Sequence, residues 1–125
     1  MKVIMIEGKS HVGKTTALNV IYDNLLNNGG ITVMPKNQEG SNEMDFSSII
    51  DYYGKKIAFF TMGDCARKVK GAIMNFNSCD YVICACNSNF SYTINQIKEK
   101  YDTTIILKKS IEEDITNNIL SKICK

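Results

Sequence analysis

The sequence of 125 residues has no tryptophan, a single proline and a single arginine, Arg67. Its 15 basic and 13 acidic residues give a net charge of +2, which is too balanced for the strong positive field of a nucleic-acid-binding surface. Apolar runs are also short, and the run at residues 3–6 is far below the roughly 20 residues of a membrane span. We therefore expect neither a nucleic-acid partner nor a membrane segment.

Cysteine is present in a pattern that does not suggest cross-links. The cysteines are odd in number, and Glu7 and Lys9 interrupt the apolar amino-terminal stretch too early for an export signal. A zinc site is not expected, because there is no C-x-x-C pair and His11 is the only histidine. We expect a cytoplasmic location and reduced cysteines that act as small apolar side chains. The five cysteines are Cys65, Cys79, Cys84, Cys86 and Cys124.

Apolar segments of strand length alternate along the chain with segments of helical period, which is typical of a parallel sheet covered by helices. A composition of 44% hydrophobic and 22% charged residues is sufficient for one folded domain over residues 1–125. We predict an α/β fold of three layers, in which a doubly wound, mainly parallel sheet of five strands carries helices on both faces. The predicted strands are residues 2–6, 31–34, 56–62, 81–86 and 103–107.

The predicted helices follow the spacing of apolar residues. Residues 46–53 carry apolar side chains at helical spacing and predict a short helix closed by Gly54. Pro35 is expected to end the second strand. Ser110 and Glu113 form the S-x-x-E pattern of a capping box, which predicts the start of the last helix. The other predicted helices cover residues 15–26, 69–76 and 94–101.

Residues 8–15 read GKSHVGKT and match the pattern G-x-x-x-x-G-K-[ST] without departure. A predicted buried strand precedes them and a predicted helix follows, which is the context that this pattern needs. Glycines permit a tight turn in which successive backbone N–H groups point at phosphate oxygens, and the helix N-terminus adds positive charge. Lys14 can then reach the β- and γ-phosphates, Thr15 can ligate Mg²⁺ and Thr16 can line the α-phosphate. The predicted nucleotide-binding residues are Gly8, Lys9, Ser10, His11, Val12, Gly13, Lys14, Thr15 and Thr16.

This motif in its strand–loop–helix setting resembles the P-loop NTPase superfamily, which implies that superfamily's fold, ATP or GTP as ligand and Mg²⁺ as cofactor. Lys9 and residues 13–16 also resemble the deviant Walker A loop of the partition and septum-site ATPases and the nitrogenase iron protein. In that group a second lysine reaches across a nucleotide-sandwiched dimer, so the resemblance implies a homodimer. The sequence departs from the group at Ser10 and His11, where two glycines are usual. The alternative for Lys9 is a solvated loop lysine.

The order Ile6-Glu7-Gly8 resembles the opening strand of thymidylate-kinase-like enzymes. Those enzymes are longer and use several arginines to hold two phosphate chains and to form a lid, and Arg67 alone cannot fill these roles. In a kinase, Glu7 would be a catalytic base. The alternative is that Glu7 is simply the polar end of the first strand.

The acid that holds the water shell of Mg²⁺ is expected at the end of a buried strand, but Thr61 occupies that position. Asp64 is the nearest acid, so we predict it as a catalytic residue and metal ligand; the alternative is that it caps the following helix. Arg67 either faces the γ-phosphate or forms a surface salt bridge. Asn87 either touches the base or the sugar of the nucleotide or forms a turn. Residues 87–90 read NSNF and lack the N-K-x-D pattern by which GTPases read guanine, which favours ATP.

The expected function is a small Mg-dependent ATPase or ATP-driven switch, in which Lys14 and Asp64 are catalytic and water attacks the γ-phosphate. A small-molecule kinase and a nucleotide-binding module without turnover stay open as alternatives. A partner protein could supply an arginine in trans. The polar loop at residues 35–45, which contains Asp45, is a candidate for substrate binding or switching.

Overall fold

The computed structural model describes residues 1–123 of the chain, which contain six strands and four helices. Of the five cysteines, Cys124 lies outside these residues. The strands are β1 (Lys2–Gly8), β2 (Ile31–Gln38), β3 (Phe46–Tyr52), β4 (Lys55–Phe60), β5 (Tyr81–Asn87) and β6 (Asp102–Leu107). The helices are α1 (Lys14–Asn27), α2 (Ala66–Asn75), α3 (Ser91–Lys100) and α4 (Thr116–Ile123).

The strands form one mixed sheet in the order β2-β3-β4-β5-β1-β6. Strands β4, β5, β1 and β6 are parallel neighbours, while β3 runs antiparallel to both β2 and β4. The α/β class is therefore confirmed, but the sheet has six strands in place of the predicted five. Because the four parallel strands share one direction, their carboxyl ends meet at a single edge of the sheet, which is where open α/β sheets bind ligands.

The additional strand is β3, and the prediction of a helix at residues 46–53 is wrong. Both faces of β3 are covered: Ile50 is fully buried in one core cluster, and Ile49 packs against the other. A strand with two covered faces is apolar without strict alternation, so its pattern resembles a helical one. Tyr53 and Gly54 both have positive φ, 51° and 87°, and make the two-residue turn that joins β3 to β4.

Strand β2 continues through Pro35 to Gln38, so the prediction that Pro35 ends the second strand is wrong. Proline is tolerated here because β2 is an edge strand. Proline has no N–H, and on an edge strand its absence does not remove a hydrogen bond between central strands. The pairing of β2 with β3 also shifts register between Thr32 and Met34 and between Met34 and Asn37. Such irregularities are usual at sheet edges.

Helices cover both faces of the sheet, as predicted. Helices α1 and α4 pack on one face, where Leu18 and Ile119 are fully buried beside Ile6 and Phe59 of the strands. Helices α2 and α3 pack on the other face, with Val69 and Ile97 in that second core. Among residues 1–123, none of the helices is long and apolar enough to cross a membrane.

The last helix begins at Thr116, six residues after the predicted start at Ser110. The side chain of Glu113 accepts from the backbone N–H of Lys109 (2.7 Å), not from that of Ser110. Residues 111–112 form only a turn, closed by a bond from the N–H of Glu113 to the oxygen of Ser110 at 3.3 Å. The helix is preceded by Asp114, whose Oδ1 accepts from the N–H of Thr116 at 2.9 Å. This bond lowers the pKa of the Asp114 carboxyl. Residues 108–115 are thus a structured connection, and the predicted start is wrong.

The aromatic cluster of Tyr22, Phe46 and Phe59 gives a test of the core. Phe59 is fully buried, with its ring centroid 5.2 Å from that of Tyr22 and 6.2 Å from that of Phe46. We expect Phe59→Ala to lower the free energy of unfolding by about 3–5 kcal/mol, since it removes buried area and leaves a cavity. Urea unfolding measures this. The control Tyr92→Ala, at a side chain that is 75% exposed, should change stability little; equal effects would contradict the assigned core.

Candidate phosphate-binding site

Residues 9–13 form a loop that leaves the carboxyl end of β1 and enters α1. Two of its features depend on glycine. Gly13 has φ 86°, in the left-handed region that glycine adopts most easily. A Cβ on Gly8 would lie 2.5 Å from the backbone oxygen of Lys108 and 2.8 Å from Cγ2 of Val12, so there is no room for a side chain. The strand, loop and helix therefore follow one another as the motif predicted.

Lys14 is the central charge of this loop. Its side chain is only 7% exposed, and Nζ donates to the backbone oxygens of Gly8 (2.9 Å) and Lys9 (2.7 Å). Burial lowers the pKa of Lys14, and the nearby Asp64 and Cys86 oppose this shift. The ammonium thus lies inside the curve of the loop, next to the N-terminus of α1.

The hydroxyl of Thr15 contacts Asp45, an acid that does not lie at the carboxyl end of a strand. Thr15 Oγ1 donates to Asp45 Oδ1 at 3.0 Å, and Thr61 Oγ1 donates to the same oxygen at 2.9 Å. Thr61 also accepts from the backbone N–H of Phe46 at 2.9 Å. Thr61 occupies the position where an acid was expected. Its hydroxyl instead orients the carboxylate of Asp45, which lies in the loop between β2 and β3. Hydroxyl and carboxylate oxygens are ligands that suit Mg²⁺.

Asp64 lies on the other side of the loop, beside Ser10 and Asn87. Its Oδ1 is 3.4 Å from both Ser10 Oγ and Asn87 Nδ2, and Asn87 Nδ2 donates to Ser10 Oγ at 3.1 Å. Helix α2 is preceded by Cys65 without a side-chain cap, so the alternative role of Asp64 as a helix cap is wrong. The structure brings Asp64 to the loop of residues 9–13, but the carboxylate that contacts Thr15 is that of Asp45.

The remaining predicted residues surround this centre with different exposure. Lys9, His11 and Thr16 are exposed, and His11 has the positive φ of 67°. Arg67 is exposed on the first turn of α2. Glu7 is half-buried at the end of β1 and lines a cavity of about 280 Å³ together with Lys9, Ser88 and Lys109.

Two residues near the loop were not singled out as site residues from the sequence. Asn19 donates from Nδ2 to the backbone oxygens of Thr15 (2.9 Å) and Met44 (3.2 Å), and so ties α1 to the loop before β3. Lys108 follows β6, is buried, and lies against Gly13. The only local signal for Asn19 is its position one helical turn after Thr15.

A larger cavity, of about 530 Å³, opens between the start of α1 and the connection that leads to α4. It is lined on one side by His11, Gly13, Thr16 and Val20, and on the other by residues 111–116. It therefore borders the loop of residues 9–13, and Thr15 is not among its lining residues.

The described residues contain no group of three or more His, Cys, Asp or Glu side chains that could hold a metal ion on their own. The oxygen pair of Thr15 and Asp45 would need further ligands from phosphate and water. That is the usual situation for Mg²⁺, which is commonly bound by one or two carboxylates together with the phosphates of a substrate.

No family model matches the chain, and neither the curated proteins nor the solved structures contain a match to it.

Substitution of Gly8 tests the close packing behind the loop. We expect Gly8→Ala to destabilise the fold by about 1–3 kcal/mol, because the new methyl group meets the backbone of Lys108. The matched control is Gly71→Ala in α2, where an added Cβ has nothing within 4 Å; it should leave stability unchanged or raise it by about 0.5–1 kcal/mol. Urea midpoints compare the two variants. A Gly8→Ala chain as stable as Gly71→Ala would refute this geometry.

Proposed function

We propose that this chain has a P-loop NTPase fold, binds Mg·ATP at residues 8–16 and hydrolyses the γ-phosphate, acting as a small ATPase or ATP-driven switch. The observation that carries the proposal is the loop of residues 9–13. It joins a buried parallel strand to a helix, and it holds the ammonium of Lys14 inside its curve. The match of residues 8–15 to the phosphate-binding pattern supports the same conclusion.

The binding of phosphate follows from the position of charge. Helix α1 directs its free N–H groups and its partial positive charge toward the loop, which favours an anion there. The ammonium of Lys14, now bonded to loop carbonyls, would turn to the β- and γ-phosphate oxygens. Lys9, exposed on the same loop, adds a second positive charge and is also the residue that would contact a second copy in a homodimer.

Mg²⁺ would be held by Thr15 together with Asp45. Thr15 and Asp45 would then give up their present hydrogen bond to each other, while Thr61 would continue to orient the carboxylate of Asp45. When bound, the cation would neutralise part of the charge on the phosphate chain.

Hydrolysis would be assisted by the group of Ser10, Asp64 and Asn87. The oxygen of a water molecule would attack the γ-phosphorus, the bond to the bridging oxygen would break, and ADP would leave. Asp64 would orient this water and receive its proton, while Lys14 would stabilise the developing charge. A further positive charge in the transition state would come either from Arg67, which is exposed on the first turn of α2, or from a partner's arginine.

One observation favours a small-molecule kinase as the second candidate. Glu7 lines the 280 Å³ cavity beside Lys9, where an acceptor hydroxyl could meet a carboxylate base. An ATPase, a kinase and a binding module differ in whether the γ-phosphate is released and whether this needs an acceptor. An ATPase releases phosphate from Mg·ATP alone, a kinase transfers it only when the acceptor is present, and a binding module does neither.

Removal of the Lys14 ammonium tests nucleotide binding. We expect calorimetric titration to show that the wild-type chain binds Mg·ATP in preference to Mg·GTP. Lys14→Ala should weaken binding by about 10- to 100-fold, since hydrogen bonds to a charged group contribute about 1.5–3 kcal/mol. The control Lys2→Ala removes the same charge at the opposite end of β1 and should leave affinity unchanged. A wild-type chain that binds neither nucleotide would refute the proposed function.

The two acids should have separable effects. We expect Asp45→Asn to raise the Mg²⁺ concentration needed for half-maximal phosphate release by about tenfold or more, as the loss of a group at a metal site usually does. Asp64→Asn should slow phosphate release at saturating Mg²⁺ without changing that requirement. Circular dichroism checks that both variants fold. A shifted Mg²⁺ requirement in Asp64→Asn alone would instead make Asp64 the metal ligand.

A further inference from the structure

A cleft lies on the face of the sheet that carries α2 and α3, at the carboxyl ends of β1 and β6. It consists of two cavities, of about 280 Å³ and 320 Å³, which share the lining residues Glu7, Ser88 and Leu107. The loop of residues 9–13 borders the first cavity, and α3 borders the second. Residues 14–16 line neither cavity. The cleft is therefore separate from the side chains proposed to hold the triphosphate and Mg²⁺.

The carboxylate of Glu7 lies where the two cavities meet. Side chains alternate along a strand, so Glu7 faces the same side of β1 as Val3 and Met5, which belong to the second core. Burial and the nearby charge of Glu7 raise the pKa of Cys86 to about 11, which places this carboxylate beside the end of β5. Glu7 is half-buried, yet its carboxylate has no hydrogen-bond or ion-pair partner among residues 1–123. It can therefore accept hydrogen bonds from a ligand in the cleft.

Three exposed lysines surround the cleft: Lys9 and Lys109 at the first cavity and Lys98 at the second. Within the described part of the chain, none of these three ammonium groups has a carboxylate or hydrogen-bond partner. Lys108 also lines the first cavity, but its ammonium already donates to two backbone oxygens of the connection after β6, at 2.6 and 2.7 Å. The cleft thus has three unpaired positive charges around one carboxylate, and this excess favours an anionic ligand.

The rest of the lining combines neutral polar groups with apolar surface. Ser91, Asn95 and Lys98 follow one another at helical spacing, so their side chains share one face of α3. Leu107, which is 51% exposed, gives both cavities an apolar surface. Hydroxyl and amide groups can both donate and accept, as the hydroxyl groups of a sugar do, and an aliphatic side chain can cover the C–H face of a sugar ring. Such a mixture of apolar surface and a few polar groups is typical of small-molecule sites.

We propose that this cleft binds a phosphorylated sugar. The phosphate would meet the lysine ammonium groups, and hydroxyl groups of the sugar would donate to the carboxylate of Glu7. A carboxylate repels a bare phosphate ion but accepts from hydroxyl groups, so Glu7 favours a ligand that carries hydroxyl groups beside its phosphate. In the kinase alternative this ligand would be the acceptor, but the inference concerns its binding alone. It does not rest on the proposed function, because residues 14–16 take no part in the cleft.

Calorimetric titrations with glucose 6-phosphate, ribose 5-phosphate and inorganic phosphate test this site. We expect at least one of the two sugar phosphates to bind the wild-type chain about tenfold or more tightly than inorganic phosphate does. Lys98→Ala should weaken binding of that sugar phosphate by about tenfold, because it removes a charged donor. The matched control Lys100→Ala removes the same charge from an exposed residue of α3 that lines neither cavity, and it should change the affinity by less than about twofold.

Replacement of Glu7 distinguishes a sugar-phosphate site from a plain anion site. Glu7→Met removes both the acceptor and the negative charge, so sugar-phosphate binding should weaken by about tenfold while inorganic phosphate binds equally or more tightly. Asn95→Ala, at an exposed residue of α3, covers the case in which Glu7→Met does not fold, and it should also weaken sugar-phosphate binding. Lys14→Ala locates the probe, because a sugar phosphate in the cleft should keep its affinity in this variant.

The inference is overturned if neither sugar phosphate binds the wild-type chain more tightly than inorganic phosphate. It is also overturned if Lys98→Ala and Lys100→Ala weaken binding equally, or if Glu7→Met strengthens the binding of all three probes. A loss of sugar-phosphate affinity in Lys14→Ala would place the probe in the phosphate loop and would contradict the inference as well. Binding of a sugar phosphate without any binding of Mg·ATP would support this site and refute the proposed function, so the two failures are distinguishable.

Discussion

The rest of the candidate site depends on the way in which the chain accommodates the ammonium of Lys14. A buried ammonium must be paired, and here the pairing comes from the backbone oxygens of Gly8 and Lys9 in the loop that precedes it. The loop can curve around the charge only because Gly8 needs no space for a side chain and Gly13 adopts a left-handed conformation. Burial lowers the pKa of Lys14, and the nearby Asp64 opposes that shift.

The parts of the fold that could be predicted from the sequence are those decided by local pattern. Strand β1 and helix α1 were anticipated because a short apolar run, a glycine loop and a helical stripe follow one another within 27 residues. Strand β3 was not, because the apolar spacing at residues 46–53 fits either a helix or a strand covered on both faces. These residues form a strand because they pair with β2 and β4, and that pairing is a property of the tertiary fold. The turn at Tyr53 and Gly54 was the one available local signal.

The candidate site shows the same division between local and long-range information. The loop between β1 and α1 is contiguous in sequence and was anticipated, whereas Asp45 reaches Thr15 across a sequence separation of 30 residues. Its position depends on the hairpin of β2 and β3, for which the sequence predicted a short strand, a loop and a helix. Lys108 stands in a pair of lysines of which one is exposed and the other buried, and sequence alone gives no reason to choose between them. Its burial follows from contact with Gly13 and from the backbone oxygens that surround its ammonium.

Asp64 and Asp45 are held in place by different parts of the fold. Within the proposed function, this difference favours a switch over a simple hydrolase. Asp64 follows Gly63, whose oxygen accepts from the N–H of Asn87 at 3.0 Å and whose Cα faces the backbone of β5 too closely for a side chain. Asp45 instead ends the loop between β2 and β3, which contacts α1 through the bond from Asn19 to Met44. Thr15 and Asp45 could hold a cation together only when this loop is in place. The state of the nucleotide would then be transmitted to β2, the exposed edge of the sheet, because the loop begins where that strand ends.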